Sequence, residues 1–419
     1  MAAAAPIAAT ETLRDHLLAQ AHELPLSQID VSDWNLYLHD AVGPYFERLR
    51  EEDPVHYHAD SRYGPYWSVT RFEDIKAVDQ DHKTFSSEPS ISIMDSPADF
   101  ELPMFIAMDQ PRHDVQRKAV SPVVHPRNLA NMESLIRERT ARVLDSLPVG
   151  EEFNWVDRVS IELTTQMLAT LFNFPFEDRQ KLTYWSDAAT GTEMTADERK
   201  EALLDCLATF NELWQERKSE EPAMDLISML AHGENTDDMI SKPMEFLGNL
   251  VLLIVGGNDT TRNSMSASVL GLNLFPEEYD KLRANHALIP NMVAETIRWQ
   301  TPLAHMRRTA LKDVEFRGKQ IRKGDKVVMW YLSGNRDNDH FEDADRMIID
   351  RRNAREHISF GFGIHRCMGN RLGEMQVRIL WEEILKRFDF VEVTGEPVRI
   401  RSNMVRGYAE LPVVLHPKQ

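Results

Sequence analysis

Between about Pro126 and Trp299 apolar residues recur three and four positions apart, as in "NLANMESLIRERTARVLDSL" and "IELTTQMLATLF". That period predicts helix almost throughout the middle of the chain. Nearer the N-terminus the pattern changes. In "VHYHADSRYGPYWSVTRFEDIKAV", from Val55, aromatic and β-branched residues alternate around "DSRYGP", which predicts strand, turn and strand followed by a short helix. The next stretch, "SSEPSISIMDSPADFELPMF", has neither period and reads as a long loop, of the length that is usually functional or mobile. Strand signals return in "VEFRGKQIRKGDKVVMW" and "VRIRSNMVRGYAELPVVLHP". Helices in the middle and small sheets at both ends predict an α+β fold, mainly α. The absence of strand–helix–strand alternation argues against a Rossmann or barrel fold.

The 419 residues, 42% hydrophobic and 27% charged, suffice for a large buried core. No linker or fixed-period repeat divides them, so 1–419 reads as one domain, with 1–30 as a flexible N-terminal extension. A formal charge of −19 argues against nucleic-acid binding. The opening "MAAAAPIAATETLRDHLLAQ" lacks the basic region of a signal peptide, and the apolar run "NLVLLIVGG" is too short to span a bilayer. Two cysteines make no disulfide scaffold, which fits a reducing cytoplasm.

Of those two, Cys206 lies on the apolar stripe of "KEALLDCLATFNELW" and reads as a packed core thiol. Cys367 stands in "FGFGIHRCMGNRLGEMQ", between glycines and the start of a helix, beside Arg366 and His365. Helix N-terminus and cations favour its thiolate. A redox pair would want a second cysteine nearby, and zinc would want further ligands. Haem iron needs only the one thiolate, because the porphyrin supplies the equatorial donors. Gly361, Gly363 and Gly369 would let the backbone approach the macrocycle and aim N–H groups at the sulfur. On these residues alone, an inert structural cysteine remains an equal alternative.

Other stretches add weight. In "LLIVGGNDTTRNS" the pair Gly256–Gly257 weakens a long apolar helix, and Thr260 can bond back to the carbonyl four residues earlier. A local kink or widened turn is expected, with Asp259 and Thr260 at the opening as a candidate proton relay. "ETIR" places Glu295 and Arg298 one turn apart, usually an ordinary surface pair. In "MDQPRHDVQRKAV" His113 and Arg117 share a helical face and can hold an anion, though a solvated charged face is commoner.

In this order, these pieces resemble the cytochrome P-450 superfamily of haem-thiolate monooxygenases. The haem-loop pattern is met by Phe360, Gly363 and Cys367, followed by Gly369, and the likeness runs from the hairpin near Val55 to the C-terminal strands. The resemblance implies haem b buried between the long central helix and the cysteine-loop helix, with Cys367 as the iron ligand. Asp259 and Thr260 match the acid–alcohol pair that supplies protons during O2 activation. His113, Arg117, Arg308 and His365 match the positions that hold the propionates, and Gly256, Phe360, Gly361 and Gly369 fall beside the macrocycle. Glu295 and Arg298 match a buried structural pair. Where many members carry Pro-x-Arg-Phe, this chain has Ala344, Asp345, Arg346 and Met347, which leaves Arg346 as a candidate third member of that cluster.

Within the superfamily, "FIAMDQPRHD", "RWQTPLAHMRRTA" and "VVMWYLSGNRD" look closest to the soluble bacterial hydroxylases that oxidise the terminal methyl of alkanes. A matching apolar pocket is expected from Leu252, Val255, Gly256, Leu303, Ala304, Met404 and Val405, with Ile93, Leu102 and Met104 from the long loop. Electrons are expected from a separate ferredoxin and its reductase, drawn by Arg112, Lys118, Arg366 and Arg371 on the cysteine side. Rival readings are hydroxylation of fatty acids, terpenes or other apolar molecules, and a haem-based sensor, which would not need Asp259 and Thr260.

Overall fold

The computed structural model describes residues 5–95, 100–190 and 194–418, with 5–12 as backbone only. Helices fill the middle of the chain, as the period predicts. The longest, Pro243–Leu274, runs unbroken through the body, buried on nearly every face in its second half. Neither the glycine pair nor Thr260 interrupts it. Gly257 is instead a packing position, since a Cβ there would stand 2.8 Å from a Leu168 methyl. Against this central helix pack Glu162–Phe172, Gln180–Thr190, Ile289–Gln300 and Asn370–Arg387.

The hairpin Val55–His58/Tyr66–Val69 and the short helix Phe72–Gln80 stand where the sequence puts them. The hairpin is part of a five-stranded sheet that continues through Lys326–Met329, Met306–Ala310 and Phe85–Ser86. Tyr66–Val69 runs parallel to Lys326–Met329; the other pairings are antiparallel. At the other end, Pro412–Pro417 lies between Phe388–Val393 and Glu152–Asn154. Glu152–Asn154 interrupts the stretch expected to be helical, and its three residues are too few to show a period of their own.

The N-terminal segment departs from the expected flexible extension. Helix Ala5–Glu23 buries Leu17 and Ala21 in a cluster with Ile29, Tyr45 and Leu49. Tyr45 donates to the Leu17 carbonyl at 2.6 Å, and Arg48 donates to those of Ala21 and Leu24 at 2.8 and 2.7 Å. An apolar stripe that the alanine-rich start conceals holds the segment down.

Glu295 and Arg298 are both fully buried. Two parallel hydrogen bonds of 2.7 and 2.8 Å join them. Glu295 also accepts from Arg351 at 3.0 Å and from the Ile348 amide at 2.8 Å. The third member of the cluster is therefore Arg351, not Arg346. The Arg346 side chain is 52% exposed and pairs with Glu277; only its carbonyl reaches the cluster, accepting from Arg298.

Burial of titratable groups makes stability depend on one carboxylate and on pH. Glu295→Gln leaves Arg298 and Arg351 in the interior without a counter-charge, and breaking such a pair costs about 3–5 kcal/mol, read as a lower urea midpoint. His305 is buried as the neutral ring: one nitrogen lies 3.0 Å from the Asn403 carbonyl, and the other accepts from the Ile93 amide at 3.3 Å. Burial pulls its pKa down to about 4, and burial with nearby arginines pulls that of His357 to about 3. These histidines bind protons in the unfolded chain first. Stability is fully present above the ordinary histidine value of about 6.5 and is expected to fall steadily as pH drops from there through 4 and 3, measured by urea unfolding.

Candidate active site

A cavity opens between the central helix and the cysteine loop, and its walls differ in character. On one side Leu252, Leu253, Gly256 and Thr260 of the central helix meet Phe105, Ile106 and Leu303. On the other side lie Phe360, Gly361, Cys367 and Gly369, and the cations Arg117 and Arg308 and the ring of His365 also line the cavity.

Cys367 is enclosed by protein, while its sulfur is open to this cavity. Its amide donates to the Phe360 carbonyl at 2.8 Å, closing the loop. Burial pushes the thiol above its ordinary value; the amides of Gly369 and Asn370, with Arg117 and Arg366, oppose it without prevailing. The cations read from sequence are present, then, and desolvation outweighs them until a metal takes the proton's place. Cys206 is the opposite case, with no exposure and a thiol driven far up by burial among core side chains.

Gly361 and Gly363 adopt the left-handed region at φ +67° and +68°. A Cβ on Gly363 would stand 2.8 Å from the Asp79 carbonyl, so its glycine serves approach to the helix Phe72–Gln80 as well as the turn. Gly369 is the one whose added Cβ would meet the cysteine sulfur, at 4.0 Å.

His113 and His365 face each other with ring centroids 4.2 Å apart, both buried. The Nε2 of His113 and both ring nitrogens of His365 have no protein partner. Burial lowers both pKa values, and for His365 the neighbouring Arg308, His113 and Arg117 lower it further. Unpaired buried donors among cations are costly unless an anion completes them. A flat apolar body with two carboxylates and a metal that takes one thiolate supplies what this cavity lacks: haem fits.

Asp259 stands differently from the expected relay. Thr260 lines the cavity, its hydroxyl donating to the Gly256 carbonyl at 3.0 Å. The Asp259 carboxylate does not line it, because successive helix residues point about 100° apart. It is fully buried behind the helix, accepting from Ser186 at 3.0 Å and Thr190 at 2.9 Å, with Arg262 at 3.2 Å. Arg262 also pairs with Asp187, half-exposed, at 3.0 Å.

Among the expected pocket residues, Leu252, Gly256 and Leu303 line the cavity. Ile93 and Ala304 do not; they pack with Trp330 in the cluster under the N-terminal helix. Met404 and Val405 support Leu303 from behind: Val405 pairs with it as a β-bridge, and the Met404 carbonyl accepts from the Ala304 amide at 2.8 Å. Val255 and Leu102 do not line it and are partly buried against the helical core. Met104 also stays outside the lining, whereas the next two residues, Phe105 and Ile106, enter it. Their register is set on the central helix. A Cβ on Gly248 would stand 2.2 Å from the Pro103 carbonyl, and the Phe105 amide donates to Asn249 at 2.9 Å. Residues 96–99 of the long loop lie outside the described residues.

Known proteins resemble the chain over nearly its whole length. A solved cytochrome P-450 153 from Novosphingobium aromaticivorans shares 48% identity with the chain, over 92% of this chain and 99% of that one, at a TM-score of 0.88. A linalool 8-monooxygenase of Pseudomonas putida is 34% identical over 93% of this chain and 99% of its own length. A methyl-branched lipid omega-hydroxylase of Mycobacterium tuberculosis is 30% identical over 93% and 95%. The Cytochrome P-450 family profile matches residues 151–412, which take in the central helix, the buried Glu295 pair and the cysteine loop. The chain belongs to the cytochrome P-450 family, whose members carry haem b on a cysteine thiolate.

Proposed function

We propose that this monooxygenase hydroxylates the terminal methyl group of medium-chain n-alkanes to primary alcohols, with O2 and electrons from a ferredoxin. One observation carries the reading. Among the described residues the charged side chains that line the cavity are Arg117 and Arg308, while Leu252, Leu253, Phe105, Ile106 and Leu303 are apolar and the neutral polar groups include Thr261, Ser264, Gln376 and the Thr260 hydroxyl. That hydroxyl already donates to Gly256. A molecule with no polar group suits such a wall, whereas a fatty acid would want a cation there. The likeness to the 153-type structure supports the alkane choice, and that to a lipid omega-hydroxylase supports attack at a chain end.

In this reading Cys367 binds the iron, and His113, Arg117, Arg308 and His365 hold the propionates through charge-assisted hydrogen bonds. The bound haem supplies oxidative chemistry, its thiolate favouring O–O cleavage. The chain's own residues position and protonate. Thr260 presents a hydroxyl proton at the cavity; Asp259, held with Arg262 and Asp187 on the other side of the helix, reaches it only when its side chain leaves Ser186 and Thr190. Because a primary C–H bond is stronger than its neighbour one carbon inward, shape must override reactivity. Phe105, Ile106 and Leu303 form the constriction that admits a chain end.

Arg112, Lys118, Arg366 and Arg371 are exposed, though Arg112 is engaged by Glu245 at 3.0 Å. We assign them to docking an acidic ferredoxin despite the overall negative charge. Among the described residues no helix is long and apolar enough to cross a membrane, and the absence of a cysteine pair suits a cytoplasmic setting.

Supplied with a surrogate ferredoxin system and n-octane, the purified protein is expected to form mostly 1-octanol. Mainly internal alcohols, or no oxidation while electron transfer is working, would sink the alkane reading. Gly256→Ala tests the wall directly. No atom lies within 4 Å of where its Cβ would stand, so the fold accepts it and the helix gains up to about 1 kcal/mol. The methyl narrows the cavity beside Thr260, and octane turnover is expected to fall while thermal stability holds or rises.

A further inference from the structure

Arg308 is buried, and so is a carboxylate that the site described above does not use. Asp79, at the end of helix Phe72–Gln80, is 2% exposed, as is Arg308. Three donors converge on it: the Arg308 guanidinium at 2.6 Å, the Tyr331 hydroxyl at 2.8 Å and the Phe362 amide at 2.7 Å. Arg308 and Tyr331 line the cavity, and Phe362 stands between the two left-handed glycines of the cysteine loop. One side chain thus ties a cavity cation to the loop that carries Cys367.

We propose that Asp79 is a positioning residue that fixes Arg308 at the haem edge and, by balancing its charge, lowers the reduction potential of the iron. The inference rests on the reading that Arg308 lies against the haem. Reduction of Fe(III) to Fe(II) adds one electron, so a nearby positive charge favours the reduced form and a negative one opposes it. Arg308 and Asp79 are both out of water, so salt and solvent screen neither well. The convergent donors hold the acceptor in place. Tyr331 is kept as a neutral donor, its phenol pushed well above the ordinary value by burial and then by Asp79 itself. Gly361 and Gly363 let the loop amide reach the same carboxylate.

The test is a mediated reductive titration of the holoenzyme, with thiolate ligation checked by carbon monoxide difference spectrum. Asp79→Asn is expected to shift the midpoint potential positive, Arg308→Gln negative, and the double variant back near the parent. A side chain that merely supported the fold would not give shifts of opposite sign that cancel. An unmoved potential in Asp79→Asn beside a shifted one in Arg308→Gln overturns the role of Asp79. An unmoved potential in Arg308→Gln overturns instead the placement of Arg308 at the haem. Should Asp79→Asn load no haem, the double variant decides. Recovery of loading supports the charge-balancing role, because removing both partners leaves no bare buried charge; continued loss overturns it.

Discussion

The Glu295 carboxylate is the point from which the cysteine half of the molecule is hung. Desolvating one carboxylate and two guanidinium groups is tolerable only because each remaining donor finds an acceptor, and those acceptors are backbone carbonyls of the segment that leads to the cysteine loop. Arg298 donates to the carbonyls of Asn335 and Ala344, both at 2.7 Å. The Asn335 side chain then accepts from the Ile358 amide at 2.9 Å and donates to Ser359 at 2.8 Å. Ser359 is next to Phe360, whose carbonyl receives the Cys367 amide. Hydrogen bonds, with the peptide bond from Ser359 to Phe360, thus connect a buried ion pair to the position of one sulfur.

The central helix performs two separable tasks because it is a helix. Thr260 and Gly256, four residues apart, share the face toward the cavity, while Asp259 and Arg262, three apart, share a face toward Gln180–Thr190. Apolar contact and acid–base networks are kept apart by the backbone between them. Gly248 and Asn249, earlier on the helix, hold the loop that delivers Phe105 and Ile106.

Much of this was legible in the sequence. Long apolar periods gave the helices, the alternating aromatic run gave the first hairpin, and the cysteine loop carried its own pattern. What was not legible depended on direction and on distant neighbours. "NDTT" names an acid and an alcohol but not that they face opposite ways. Arg351 could not be told from Arg346, because both follow Glu295 by more than 50 positions and only the folded path chooses between them. Ile93 and Ala304 are as apolar as Phe105, and nothing in their type says that one pair meets Trp330 and the other the cavity. Asp79 sits in an ordinary-looking helix whose register against Arg308 spans 229 residues.

The pairing of Tyr66–Val69 with Lys326–Met329 bears on the order in which the chain can assemble. The first hairpin is made early in the chain, yet its sheet cannot close until some 260 residues later are available, and Glu152–Asn154 waits for Pro412–Pro417. Non-local closures of this kind are slow because the entropy of the intervening loop is lost before any contact rewards it. The cysteine loop falls between the two closures in chain order. The helices of the middle, whose own backbone hydrogen bonds are local, can form while both sheets are still open. The haem-binding face therefore belongs to the late-assembling part of the molecule, completed only when nearly the whole polypeptide is present.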